Sequence, residues 1–188
     1  MFFNLPTLLT WARIAAIPLI VAVFHWPGLT LPAQNALATV LFVVFALTDW
    51  ADGYLARRLN QTSAFGAFLD PVADKFLVCA CVLELVSLDR VHVFVALIII
   101  GREIAISALR EWMATIGAVR SVAVHMVGKA KTATQMVAIP FLLYDGVLMG
   151  IDTRWWGTVL IWAAAVLTVW SMVYYLNKAV PEIRARAR

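Results

Sequence analysis

Charge is scarce in this sequence. Of its 188 residues only 14% are charged, while 63% are hydrophobic; a soluble domain is nearer a quarter charged and half apolar. That shift excludes an ordinary soluble core and fits a bundle of membrane helices. Cysteine is nearly absent as well. Cys79 and Cys81 point in different directions around a helix, so they read as small packing residues and not as a disulfide or thiolate metal site. The three histidines, His25, His92 and His125, show no metal-ligand spacing. An early basic segment and a small-residue cleavage site are missing, so the first apolar stretch is expected to stay as a span. No polar stretch is long enough for a second domain, and one domain over residues 1–188 is expected. The net charge of +4 is modest, and its basic residues cluster in loops, which speaks for membrane orientation and against nucleic-acid binding.

What is present is a series of apolar segments, each near the roughly 20 residues that cross a bilayer. Six can be marked: about Leu8 to Trp26, Asn35 to Arg57, Phe68 to Leu88, Val91 to Ala114, Val124 to Met149 and Trp155 to Asn177. Backbone in lipid must satisfy its own hydrogen bonds, so these are helices. The expected fold is an all-α integral membrane protein, a six-transmembrane-helix bundle. Eight tryptophans suit its boundaries, since indole favours the membrane–water interface. Arg57, Arg58, Arg120, Lys129, Lys131, Lys178, Arg184, Arg186 and Arg188 fall on one side of such a bundle, and only Arg90 and Arg154 on the other. The first side, with both termini, is predicted to be cytoplasmic.

Against that background several charges stand out, because an ionised group at bilayer depth costs at least about 3 kcal/mol unless it has a partner or a wet cavity. Asp49 and Asp52 end the second segment, Asp70, Asp74 and Lys75 begin the third, and Arg102, Glu103, Arg110 and Glu111 interrupt the fourth. Asp49 and Asp52 are three apart, Asp70 and Asp74 four apart, so each pair shares a helix face. The second and third helices are expected to be antiparallel neighbours joined by a loop on the cytoplasmic side, so two pairs of carboxylates converge near that surface. Four such groups repel one another. Divalent cations relieve that repulsion, and all-oxygen donors favour Mg²⁺ first, then Mn²⁺, over zinc or copper. Two such ions can grip the attacking and leaving oxygens of a phosphoryl displacement. A plainer role competes for single residues: Asp70 before Pro71 looks like a helix N-cap followed by proline at the first helical position. The neighbouring Ala51, Gly53, Ala56, Gly66 and Ala67 permit close helix approach, or leave room for a bulky ligand.

The stretch from Asp49 to Asp74, DWADGYLARRLNQTSAFGAFLDPVAD, resembles the signature of the CDP-alcohol phosphotransferase family, D-x2-D-G-x2-A-R-x8-G-x3-D-x3-D, at all of its specified positions. The resemblance implies that an alcohol attacks the β-phosphorus of a CDP-linked lipid and CMP leaves. It assigns Asp49, Asp52, Asp70 and Asp74 to two divalent ions, with Asp74 also the general base for the alcohol. It places Gly53, Ala56, Arg57 and Gly66 at the CDP-lipid, and Thr10 with them. A homodimer is implied too.

The flanking segments NLPTLLTWAR, GREIAISALREW (Gly101 to Trp112) and GKAKTATQM (Gly128 to Met136) are similar to the bacterial branch that uses CDP-diacylglycerol and glycerol 3-phosphate. That branch implies phospholipid synthesis in the inner membrane with the active site facing the cytoplasm. Its acceptor carries a phosphate, which needs cations beyond the metal centre. Arg102 and Arg110 lie about 80° apart around a helix and can line one broad face. Lys129 and Lys131 open the next span, and Arg suits bidentate phosphate contact. The same family with another acceptor, inositol phosphate or serine, is the alternative. A cation transporter is a more distant one, and it would spread its acids through the bilayer.

Overall fold

The structure, a computed structural model, describes residues 5–59, 64–115 and 126–186, with side chains except at 5–7, 49–59, 64, 67, 126–129, 178, 179 and 181–186. Helix α1 spans Leu5–Phe24, α2 Leu31–Leu59, α3 Ala64–Ser87, α4 Val93–Thr115, α5 Met126–Tyr144 and α6 Thr153–Arg186. Between α5 and α6 lies a small hairpin, β1 Val147–Leu148 antiparallel to β2 Ile151–Asp152. Its two-residue turn is left-handed at both Met149 (φ 49°) and Gly150 (φ 81°), as a type I′ turn requires. Asp152 then caps α6, its Oδ1 accepting from the Trp155 N–H at 3.0 Å.

Helix α6 runs past the expected Asn177 to Arg186 and α2 starts at Leu31 ahead of Asn35; two other boundaries differ for local reasons. The fifth helix stops at Tyr144, short of Met149, because Asp145 turns left-handed (φ 47°) and leads into the hairpin. The third begins at Ala64, so Asp70 lies inside the helix and is not its N-cap, and Pro71 is internal. A proline there removes one backbone hydrogen bond but leaves the Asp70 side chain free to serve another element.

Among the described residues two helices contain stretches long and apolar enough to cross a bilayer, Leu31–Thr48 and Thr153–Asn177, and Leu8–Phe24 is a shorter apolar stretch. The other helices carry the charges that dilute their apolarity. The outer faces of α3 and α4 are nonetheless oily: Phe68, Phe76, Phe94, Leu97 and Ile104 are 62% to 66% exposed. Apolar surface on that scale matches a hydrocarbon solvent and not water. This is an all-helical membrane protein apart from the hairpin.

The apolar interior draws on every helix. Ile20, Phe42, Leu77, Val95, Ile139 and Ile161, one from each, are at most 2% exposed in a single cluster. Helix α1 packs against both α2 and α3; among the described residues those two make no comparable contact with each other. The direct α2–α3 pairing expected from the sequence falls on the last turns of α2, whose side chains lie outside the described residues. Helices α5 and α6 pack closely at Gly157, where a Cβ would sit 2.7 Å from Leu142 Cγ. Small residues allow such approach.

One end of the bundle is tied by Arg90, in the α3–α4 connection. Asp89 (φ 54°) and the bonds from Arg90 N to Leu85 O (2.8 Å) and Asp89 N to Val86 O (3.1 Å) close α3 as a Schellman motif. That turn drives the Arg90 side chain inward. Its Nη1 donates to the carbonyls of Leu142 (3.1 Å) and Leu143 (2.8 Å) at the end of α5, and its Nη2 to Asn35 Oδ1 on α2 (2.8 Å). Nε lies 3.3 Å from Asp145 Oδ2. Burial pulls the Arg90 guanidinium below its ordinary value, and Asp145 opposes that. The polar side chains of the opposite end form the site.

Candidate active site

Thr10 and Arg13 lie one turn apart on α1 and face Asp70 and Asp74, one turn apart on α3. The Thr10 hydroxyl donates to Asp70 Oδ1, and Arg13 Nη1 donates to Asp74 Oδ1 at 2.7 Å. Thr10 is 0% and Arg13 1% exposed. A guanidinium so buried is tolerable only against an opposite charge, and Asp74 supplies it. The Asp74 side chain remains 37% exposed, so it is held from one side and accessible from another. Arg13 was not singled out from the sequence. The signal was there: an arginine one turn after Thr10 in an otherwise apolar first span.

Beside Asp74 opens a cleft of about 230 Å³ between α3, α4, α5 and α6. Arg102 and Arg110 line it with Asp74 and Lys75, as do Thr132, Gln135 and Tyr175. The two arginines expected to share a broad face thus reach the same small cavity as the candidate base. Arg102 is buried and Arg110 exposed, so the cavity has an inner and an outer cationic wall.

Glu103, also on the cleft wall, organises the cations behind it. Lys131 Nζ donates to Glu103 Oε1, and Arg102 Nη1 lies 3.3 Å from the same oxygen. Arg102 Nη2 also reaches Ser171 Oγ on α6 at 3.4 Å. Lys75 Nζ donates to Ser107 Oγ, which donates to the Glu103 carbonyl at 2.6 Å. Lys131 was expected at the acceptor phosphate. It is 1% exposed and its ammonium is engaged by Glu103, behind the cleft and not on its wall. The physical reason is desolvation: a cation withdrawn from water takes the nearest carboxylate. From sequence Glu103 was only an expensive charge beside Arg102; its long-range partner on α5 could not be seen.

Gly66 is buried near the start of α3. Asp49, Asp52, Gly53, Ala56 and Arg57 lie on the last turns of α2, and Lys129 on the first turn of α5; their side chains fall outside the described residues, and His125 falls outside them altogether. Among the described residues no group of three or more His, Cys, Asp or Glu gathers as a metal site. Asp70 and Asp74 contribute two of the four expected carboxylates. Both are hard oxygen donors on adjacent turns, partly exposed and anchored by α1. That donor chemistry fits Mg²⁺ or Mn²⁺.

Comparison with known proteins bears on this geometry. A family model described as CDP-alcohol phosphatidyltransferase matches residues 3–170, and that family generally uses divalent metal ions. Proteins named CDP-diacylglycerol–glycerol-3-phosphate 3-phosphatidyltransferase from Salmonella choleraesuis (strain SC-B67), Escherichia coli (strain K12) and Shigella flexneri serotype 5b (strain 8401) are each 50% identical to it over 183 residues, covering 95% of this chain and 96% of the relative. A carboxylate pair braced by α1, a cationic cleft beside it and a match over most of the chain agree: the chain belongs to the CDP-alcohol phosphatidyltransferase family.

Proposed function

We propose that the chain transfers the phosphatidyl group of CDP-diacylglycerol to glycerol 3-phosphate, giving phosphatidylglycerophosphate and CMP. The observation that carries this reading is the cleft that holds Asp74, Arg102 and Arg110 together. A carboxylate at one wall suits an alcohol, and two guanidiniums at another suit a phosphate on the same small molecule. Full-length relatives that bear this activity in their names support it.

In the reaction the C1 hydroxyl oxygen of glycerol 3-phosphate forms a bond to the β-phosphorus, and the bond from that phosphorus to the CMP oxygen breaks. The hydroxyl proton passes to Asp74, and CMP departs with the electron pair. Arg13 orients Asp74, and Thr10 orients Asp70. Arg102 and Arg110 bind the acceptor phosphate, while Glu103 and Lys131 hold Arg102 in place. Asp49, Asp52, Asp70 and Asp74 would hold two divalent ions, Mg²⁺ by preference, whose charge offsets that of the diphosphate and leaving CMP. Gly53, Ala56, Arg57 and Gly66 would line the nucleotide end, and Lys129 would serve the acceptor phosphate. Six helices cross the bacterial inner membrane, with both termini and the active site on the cytoplasmic side, and the enzyme works as a homodimer.

The test is CMP release by protein purified in detergent with CDP-diacylglycerol, glycerol 3-phosphate and Mg²⁺. Phosphatidylglycerophosphate should form, chelation should stop it, and Mg²⁺ or Mn²⁺ should restore it. Asp74→Asn should slow it by about 10²- to 10⁴-fold, the usual worth of a general base. Product with inositol phosphate or serine, and none with glycerol 3-phosphate, would sink the acceptor assignment and leave the family intact.

A further inference from the structure

Lys75, Thr132, Gln135 and Tyr175 are the polar side chains of the cleft to which the proposed roles give no task. Gln135, on α5, lines the cavity and is 3% exposed. Its amide Nε2 is buried with no hydrogen-bond partner among the described residues. A buried amide donor left unsatisfied costs about 1–3 kcal/mol, and native interiors hold few of them. The other cleft donor in this condition is Arg102 Nε, which belongs to the anion end. The Lys75 ammonium is bonded to Ser107. Gln135 is therefore an uncharged donor in a wall shared with a carboxylate and two guanidiniums.

The proposed acceptor has three carbons. Phosphate occupies one end, the attacking hydroxyl the other, and a second hydroxyl stands on the middle carbon. With the phosphate at Arg102 and Arg110 and the attacking hydroxyl at Asp74, the middle hydroxyl falls between the two poles. It is neutral, so a neutral donor matches it without competing for the phosphate. We propose that Gln135 is the specificity-determining residue of the acceptor site, donating from Nε2 to the C2 hydroxyl oxygen of glycerol 3-phosphate. The role rests on the reaction proposed above and extends it to the choice between acceptors of equal length and charge.

The consequence is asymmetric. A site that hydrogen-bonds a substrate hydroxyl rejects the analogue lacking it strongly, because the buried donor then stays unpaired. The probe is 3-hydroxypropyl phosphate, which keeps the phosphate and the attacking hydroxyl and lacks only the middle one. The wild-type kcat/KM should favour glycerol 3-phosphate over this analogue by about 10²-fold or more. In Gln135→Leu, of similar volume and without the donor, kcat/KM for glycerol 3-phosphate should fall while that for the analogue holds or rises, so the ratio shrinks at least about tenfold. Gln135→Met, whose unbranched side chain follows the path of glutamine, should do the same. The KM for CDP-diacylglycerol should stay put. Neither variant should unfold more easily than wild type without substrate, since each removes an unsatisfied buried amide.

Equal losses with both acceptors, or an unchanged ratio in both variants, overturn the role of Gln135 and leave the reaction standing. Wild type that turns over neither acceptor overturns the reaction and the role of Gln135 with it.

Discussion

Replacing Glu103 by glutamine removes one negative charge and leaves the shape nearly intact. The Lys131 side chain is 1% exposed and that of Glu103 15%, with their charged atoms in direct contact. The Arg102 side chain, 9% exposed, shares the same carboxylate oxygen. Glu103→Gln thus strands a buried ammonium and weakens the hold on a buried guanidinium. Breaking a buried pair from one side costs about 3–5 kcal/mol, roughly a hundred- to several-thousand-fold in the folding equilibrium at 1.4 kcal/mol per tenfold. Unfolding in mixed detergent micelles, followed by tryptophan fluorescence, measures it. Adding Lys131→Met removes the stranded cation and should recover most of the loss, because the double variant buries no unpaired ammonium. Acceptor binding should behave differently. With Arg102 no longer fixed, the KM for glycerol 3-phosphate should rise in the single and the double variant alike, and that for CDP-diacylglycerol should not. A single variant as stable as wild type, or a double variant as unstable as the single, would refute the reasoning.

The opposite end of the bundle makes a separate prediction. Arg90→Met leaves Asp145 to Arg154 alone at 3.5 Å and uncaps the end of α5; it should lower stability by about 3–5 kcal/mol, while kcat measured well below the melting temperature stays near wild type because the cleft is at the other end. Gly157→Ala should cost about 1–3 kcal/mol by overpacking against Leu142, and Leu142→Ala in the same chain should relieve part of that in the same unfolding assay.

Much of this protein was legible before its fold. Helices follow from apolar runs, because lipid offers the backbone no other partner. The pairing of Asp70 with Asp74 follows from helical periodicity, and so does the shared face of Arg102 and Arg110; both depend only on spacing along one element. Even the plainest local inference had a limit. Asp70 before Pro71 has the local pattern of a helix start, yet α3 begins at Ala64, since packing against α1 carries the helix through a proline that propensity alone would place at its first turn.

What spacing could not determine is which elements meet. Arg13 became the partner of Asp74, and Lys131 that of Glu103, because α1 packs on α3 and a residue of α5 reaches α4. The partner of a buried charge is whatever stands within a few ångströms of it after folding, and residues 61 positions apart carry no periodic signal linking them. The candidate carboxylates and cations were written in the sequence. Which of those cations line the cleft, and which carboxylate each one meets, was decided by the packing of the helices, because a charge withdrawn from water is stabilised by an opposite charge within reach.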